Sequence, residues 1–205
     1  MKIHAITKIA GFTILLLALT ACGSTTTASK WKDEQYTKKM SKTLVIGISD
    51  DEEMRRLFED VMAQQLSKKG VQAVPLLDLL PASTDITKET VLPAIEGQGF
   101  DTAVVTHMVE LKEVKRYVPV KRNMARSEDL YNNMYTYYRN TPVVKTKEVA
   151  VMEEVVVLET AVFDITTETR IWKMTSETLK PQKNKKTITD IAKVIVSNLN
   201  IDGML

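Results

Sequence analysis

The order of apolar patterns between Thr43 and Leu111 is the feature that most restricts the fold of this chain. A short β-branched run, TLVIGIS, is followed by a helical stripe, and a second strand, VQAV, begins directly after Gly70. A weaker helical pattern over residues 87–98 then leads into a third strand, GFDTAVVTHMVEL, over residues 99–111. Strands that alternate with helices pair in parallel and are joined by right-handed crossovers. The pattern therefore predicts a βαβαβ unit.

The first of these helices has the clearest periodicity in the chain. Asp50 and Glu53 form a capping-box pattern at its start, and Gly70 stands where helices commonly end in a left-handed residue. The second helix contains Pro93, which is tolerable only in a first turn. The apolar side chains that predict the buried face of the first helix are Met54, Leu57, Phe58, Val61, Met62 and Leu66.

The second half of the chain has a different pattern. A long apolar strand over residues 149–165, a turn over 166–169 and a returning strand over 170–179 predict an antiparallel hairpin. Thr187 or Thr189 can cap a last helix. Its predicted buried stripe consists of Ile188, Ile191, Ala192, Ile195 and Leu199.

These elements together predict an α/β fold in an α+β variant. We expect a single three-layer domain over residues 43–205, with a mixed sheet of about five strands, an antiparallel hairpin and three helices. Residues 112–148 interrupt this domain with a long tyrosine-rich insertion that has no clear apolar period.

The N-terminus has the organisation of an export signal. Lys2 and Lys8 precede an apolar run, residues 9–20, which is well short of the roughly 20 apolar residues that a membrane-spanning helix needs. Cys22, the only cysteine of the chain, follows two small residues. An ordinary secretory signal would show the small residues but has no need of the cysteine.

The sequence Leu19-Thr20-Ala21-Cys22 resembles the lipobox of bacterial lipoproteins. The resemblance implies a signal peptide over residues 1–21, cleavage before Cys22 and a lipid anchor on its thiol, with palmitate among the acyl chains. Gly23 after the cysteine implies sorting to the outer membrane, facing the periplasm. The alternatives are an ordinary signal peptide with a chance cysteine and a buried N-terminal helix.

Residues 22–42 are expected to form the lipidated cysteine and a flexible tether. The segment is rich in Thr, Ser and Lys and shows neither the helical nor the strand period. As a random coil of this length it would reach roughly 25 Å from the membrane.

The charge balance excludes a generally basic protein. The chain has 28 basic and 26 acidic residues, but Lys2 and Lys8 leave with the signal peptide, so the mature chain is balanced. We therefore expect no nucleic-acid partner. Acylation of Cys22 also leaves no thiol for a disulfide, so the fold depends on its core.

Two segments of the mature chain carry a second resemblance. GQGFDTAVVTHMVEL and VFDITTETRIWKMTSET are similar to segments of curli-export-type and TolB-amino-terminal-like periplasmic α/β domains. The resemblance implies an envelope scaffold with no catalytic motif. The sequence departs from the Asp-x-x-Thr-Gly turn of those domains, because Glu168 and Thr169 stand where a glycine is expected.

No residue pattern predicts catalysis, a metal or a cofactor. His107 is the only histidine of the mature chain and falls in a predicted strand. Ser49 lies at a strand-to-helix corner but lacks the closing glycine of a nucleophile elbow, so it is interpreted as a hydrogen-bonding residue beside the helix. The acidic residues 50–53 are interpreted as the acidic first turn of a helix rather than as a cation site.

The tyrosine-rich insertion is the one candidate contact surface. Seven basic and three acidic residues lie between Lys112 and Arg139, together with four clustered tyrosines. The tyrosines either pack on the sheet or form a surface for an envelope protein or a glycan, since interfaces favour Tyr and Arg. The candidate contact residues are Arg122, Arg126, Tyr131, Tyr135, Tyr137 and Tyr138.

The sequence thus favours a non-enzymatic, lipid-anchored scaffold or adaptor for envelope assembly or transport. Its expected contacts are the membrane through Cys22, an envelope protein and further copies of itself. One alternative is a hydrolase acting on cell-wall or lipid material. Another is a subunit of an oligomeric export pore, which is disfavoured because Glu153 and Glu154 place charge on both faces of the longest strand.

Overall fold

The structure, a computed structural model, describes residues 25–119, 134–135 and 148–205. Within these residues it contains six strands and three α-helices, with one 3-10 turn at Leu76–Asp78. The strands are β1 (Thr25–Lys32), β2 (Lys42–Ile48), β3 (Gln72–Pro75), β4 (Thr102–Pro119), β5 (Glu148–Asp164) and β6 (Arg170–Leu179). The helices are α1 (Glu52–Ser67), α2 (Lys88–Ile95) and α3 (Lys185–Ile201).

All six strands form one mixed sheet in the order β1-β6-β5-β4-β2-β3. β2 pairs in parallel with both β3 and β4, which confirms the βαβαβ unit. β4, β5, β6 and β1 pair antiparallel, and β5 with β6 is the predicted hairpin. The expected α+β fold is confirmed, with one strand more than the sequence predicts.

The additional strand is β1, and it corrects the expected flexible tether. Residues 25–32 pair antiparallel with β6, from Thr25 opposite Thr178 to Lys32 opposite Trp172. The hydroxyls of Thr25 and Thr178 are 3.0 Å apart and buried. The part of the expected tether from residue 25 to residue 32 is therefore ordered and forms one edge of the sheet.

Helices cover both faces of the sheet. α1 and α3 pack together on one face, where Val45, Val104 and Trp172 contribute to the larger apolar core. Because side chains alternate along a strand, Leu44 and Ile46 point to the other face, where they meet Ile95 of α2 and Leu76. The sheet is thus the middle layer of three.

The two long helices bury the stripes that the sequence predicts, with different caps. In α3 all five predicted stripe residues are buried, while in α1 Met54 and Leu57 are only half-buried. The cap of α1 is Asp51 rather than Asp50, because its carboxylate accepts from the Met54 N–H at 3.1 Å. The cap of α3 is Asn184, which accepts from the Thr187 N–H at 2.9 Å, so neither Thr187 nor Thr189 takes that role.

Two further expectations need correction. Pro93 is the sixth residue of α2 and not part of its first turn, so the carbonyl of Glu89 lacks an intrahelical donor at an exposed position. In addition, β4 continues to Pro119 and β5 starts at Glu148. Residues 112–119, expected to belong to an insertion without a regular pattern, are therefore strand.

A buried carboxylate joins α1 to the sheet. Glu59 is fully buried and accepts from the N–H of Gly47 at 3.0 Å and from the N–H of Leu77 at 2.9 Å. Its charge is balanced by Arg55, whose Nε lies 3.1 Å away. The carboxylate thus connects the end of β2, one turn of α1 and the 3-10 turn.

Asp202, the C-cap residue of α3, connects that helix to β1. Its carboxylate accepts from Lys30 at 2.6 Å and from the indole N–H of Trp172 at 2.9 Å. Lys32 donates to its carbonyl at 2.8 Å. Burial acts to raise the pKa of Asp202, but the hydrogen bonds from Lys30 and Trp172 outweigh it and lower that pKa.

Candidate functional site

The most exposed feature of the sheet is a two-stranded extension of β4 and β5, here called the ribbon (residues 111–119 and 148–156). Its register runs from Leu111 opposite Val156 to Pro119 opposite Glu148. β6 ends beside Val155, and β2 ends much earlier, opposite His107. The outer part of the ribbon therefore has no further strand beside it among the described residues.

Exposed apolar side chains concentrate on this extension. Of thirteen large apolar side chains that are exposed in the described residues, six lie on the ribbon or at its base, and two more belong to the segment that joins its strands in the sequence. Such clustering marks a contact surface more often than scattered exposure does. The eight residues are Met108, Val109, Leu111, Tyr117, Met134, Tyr135, Val149 and Met152.

The register assigns three of these residues to the same face. Leu111 lies opposite Val156, Lys115 opposite Met152, and Tyr117 opposite Ala150. Positions two apart share a face, so Leu111, Tyr117 and Met152 lie on the side of the sheet that carries α1 and α3. On that side the opposed acids Glu113 and Glu154 separate Leu111 from the other two. Each of the three is between 58 and 60% exposed.

Ion pairs hold the opposite face at the root of the ribbon. Glu153 is almost fully buried and bonds Lys180 at 2.6 Å and Arg116 at 3.4 Å. The hydrogen bond from Lys180 lowers the pKa of Glu153. Lys112 reaches Glu177 at 2.8 Å, and that hydrogen bond raises the pKa of the lysine. The two sides of the ribbon thus differ: this side is held by ion pairs, and the other carries the exposed Leu111, Tyr117 and Met152 interspersed with charged residues.

The structure reaches only one of the contact residues that the sequence predicts. Tyr135 is 78% exposed, and the preceding residue, Met134, is 67% exposed. The others lie outside the described residues, so their grouping stays a prediction: Cys22, Arg122, Arg126, Tyr131, Tyr137 and Tyr138.

Sequence reasoning missed Tyr117, Leu111 and Met152 as surface residues. Leu111, Val114 and Tyr117 recur every three residues, a spacing that suggests neither a strand nor a complete helical stripe. The strand-like signal that was present is the β-branched and aromatic content of residues 111–118.

The two residues that were considered for catalysis, His107 and Ser49, have contacts of the kind that support the fold. His107 is half-buried in β4, opposite Glu159, whose carboxylate pairs with Lys173 at 2.5 Å. Ser49 accepts from the N–H of Asp51 at 3.1 Å, which confirms its interpretation as a hydrogen-bonding residue beside the helix. Within the described ranges, no three acidic, histidine or cysteine side chains are grouped closely enough to hold a metal ion.

A concave region lies between α2 and the sheet. It is an open, largely apolar cleft of about 550 Å³, bordered by Ile46, Val91, Ile95 and Val105. The helix above it contributes only one buried residue, Ile95, so the cleft reflects loose coverage of this face. None of the helices in the described residues is both long and apolar enough to cross a bilayer.

Comparison with known proteins gives structural neighbours only. No family model and no curated protein matches the sequence. A PelC dodecamer from Paraburkholderia phytofirmans is 13% identical over 85% of this chain and 96% of the other, with a TM-score of 0.47. Lipoprotein GNA1162 from Neisseria meningitidis is 12% identical over 78% and 99% of the two chains, with a TM-score of 0.40. Likeness at this level carries no information on function.

Proposed function

We propose that this protein is a lipoprotein of the cell envelope, anchored through Cys22 in the outer membrane on its periplasmic side. In this proposal it acts as a non-catalytic scaffold or adaptor for envelope assembly or transport. The sequence support is the lipobox-like segment Leu19-Thr20-Ala21-Cys22 after a short apolar run.

The observation that carries the scaffold role is the position of β1. Thr25 is already paired with β6, and it follows Cys22 by only three residues. Three residues span at most about 11 Å. A lipid on Cys22 would therefore be joined almost directly to the central sheet, which suits a protein that holds a fixed position at a membrane surface.

The anchor is tested by metabolic labelling with radioactive palmitate in the native host. We expect the wild-type protein to take up label, since two or more acyl chains are needed for stable attachment. Cys22→Ala should lose the label and accumulate as unprocessed precursor, while the control Ser24→Ala should be labelled like the wild type. Wild-type protein without label would contradict the lipid anchor.

The adaptor role is tested by cross-linking in intact cells followed by recovery of the membrane-attached form. Tyr135 is exposed, so replacing it removes contact area without opening the core. Tyr135→Ala combined with Tyr138→Ala should reduce recovery of a protein partner at an unchanged melting temperature. A lowered melting temperature would assign the tyrosine segment to the core, and turnover of a cell-wall or lipid substrate by the purified protein would favour the hydrolase alternative.

A further inference from the structure

The ribbon extends from the end of the domain at which the anchored segment enters. Following the register across the sheet, Thr25 lies level with Thr178, Val156 and Leu111. The ribbon begins at this level and continues outward for eight residue pairs, from Lys112 opposite Val155 to Pro119 opposite Glu148. The start of β1 and the root of the ribbon therefore share one end of the molecule.

The ribbon is long enough, relative to the connection between Thr25 and Cys22, to reach the bilayer. Eight residues of strand span roughly 26 Å. Neighbouring strands twist by roughly 20–25°, so β4, three strands from β1, is inclined by roughly 60–75° to it and still advances about 10 Å along its direction. The connection from Thr25 to Cys22 is at most about 11 Å. With the lipid in place, the ribbon has the reach to touch the membrane surface.

Part of the exposed face of the ribbon carries residue types that suit a membrane interface. Tyrosine is enriched at the level of lipid headgroups, where its ring and hydroxyl meet both environments. Tyr117 lies on the same face as Leu111 and Met152, and Lys115 between them can extend its ammonium group to phosphate. A two-stranded ribbon is only marginally stable in water by itself, so contact along this face would stabilise it.

A pair of acids limits the depth of this contact. Glu113 and Glu154 face each other directly on the same face, between Leu111 and the pair of Lys115 with Met152, and are both exposed. Like charges in this arrangement are destabilising even in water, and burial in hydrocarbon would cost far more. The pair therefore keeps the ribbon at headgroup level.

We propose that the ribbon lies on the membrane that holds the lipid anchor, with Leu111, Tyr117 and Met152 directed towards the acyl-chain boundary. The inference rests on the proposed anchor and names the lipid surface, rather than a protein, as what the ribbon strands contact. The ribbon then acts as a second attachment point that fixes the orientation of the domain relative to the bilayer.

The test uses an environment-sensitive fluorophore at single introduced cysteines. Because Cys22 is the only natural cysteine and its thiol would be acylated in the mature protein, an added cysteine is the only reactive one. The reporter positions are Tyr117→Cys and Met152→Cys. The matched control is Lys69→Cys, an exposed position at the opposite end of α1 from the ribbon. The fluorophore is nitrobenzoxadiazole.

In vesicles of phosphatidylethanolamine and phosphatidylglycerol, we expect emission from positions 117 and 152 to shift to shorter wavelength and to be quenched by brominated lipid. Emission from position 69 should not change. If positions 117 and 152 remain as water-exposed as position 69, the inference is wrong. Shielding without vesicles that increases with protein concentration would also overturn it, because a second copy would then cover the ribbon.

A second form of the protein separates this inference from the anchor. Cys22→Ser with a hexahistidine tag in place of the signal peptide can be held on vesicles by a nickel-chelating lipid, whatever the cell does to Cys22. A fluorescence shift in this form supports the ribbon contact even if palmitate labelling fails. Unshifted emission in both forms overturns the ribbon contact and leaves the anchor to the labelling experiment.

Discussion

Glu59 is fully buried and charged, and its carboxylate accepts three hydrogen bonds, from Gly47, Arg55 and Leu77. Removing one partner of a buried ion pair typically costs about 3–5 kcal/mol, because the other charge stays buried without compensation. Glu59→Ala leaves Arg55, itself 7% exposed, in that situation. We expect the free energy of unfolding in urea to fall by about 3–5 kcal/mol.

The control for this prediction lies one position further along the same helix. Arg56 and Asp60 form a pair with the same spacing, but both side chains are nearly half exposed. Exposed pairs contribute about 0.2–1 kcal/mol, so Asp60→Ala should lower the unfolding free energy by no more than that. Equal losses in the two variants would show that burial does not determine the contribution of Glu59.

At the scale of elements, the sequence predicts those that bury a regular face and misses those that do not. α1, α3 and the β5–β6 hairpin each carry an apolar period that follows from their burial against the sheet. In β1 only Thr25 is buried, and most of the strand is exposed. Such an edge strand is held by backbone hydrogen bonds to β6, and these leave no trace in the side-chain pattern.

The same reasoning explains why the ribbon could not be predicted from the sequence. The ribbon carries apolar residues where a sequence pattern for a soluble domain would place polar ones, so Leu111 and Tyr117 look irregular until the register is known. The lipid anchor on Cys22 could be predicted from the sequence because the residues before the cysteine form a local motif, and it stays a prediction. The proximity of Thr25 to the ribbon arises from pairing between distant segments, which a single sequence does not reveal.

The attachment of β1 through Asp202 is expected to depend on pH. The pKa of Asp202 is lower in the folded protein than its ordinary value of 3.8, so the folded state binds fewer protons than the unfolded state. The stabilisation is therefore complete above pH 3.8 and is lost as the pH falls through the lower folded value. Asp202→Asn should cost about 1 kcal/mol at neutral pH, after allowing for the exposure of Lys30.

Urea unfolding of wild type and Asp202→Asn as a function of pH checks this expectation. The difference in unfolding free energy should narrow as the pH falls below 3.8. Lys30→Met should reproduce part of the loss at neutral pH, because it removes one of the donors. A difference that stays constant down to acidic pH would mean that the carboxylate charge plays no part in holding β1.

At the scale of the whole molecule, the folded domain includes β1 and so begins at Thr25, before the residue 43 that the sequence predicts. A chain that starts at Asp33 lacks β1 and leaves the edge of β6 without a partner, including the buried Thr178. An unprotected edge promotes association. We expect this chain to unfold at lower urea concentration than a chain starting at Gly23 and to associate in sedimentation experiments. If the two chains unfold at the same urea concentration and the shorter one stays monomeric, β1 contributes nothing to the stability of the domain and acts only as a tether.

The direction of β1 has a mechanical consequence. A lipid at Cys22 would transmit any force between membrane and domain through Thr25, at the start of β1. Because β1 lies antiparallel to β6 from Thr25 to Lys32, a pull along the axis of β1 stretches their hydrogen bonds together, in shear. Opening them one at a time, as a zipper opens, would need a pull across the strands. A lipid-anchored domain would therefore resist tension best when the pull follows the axis of β1.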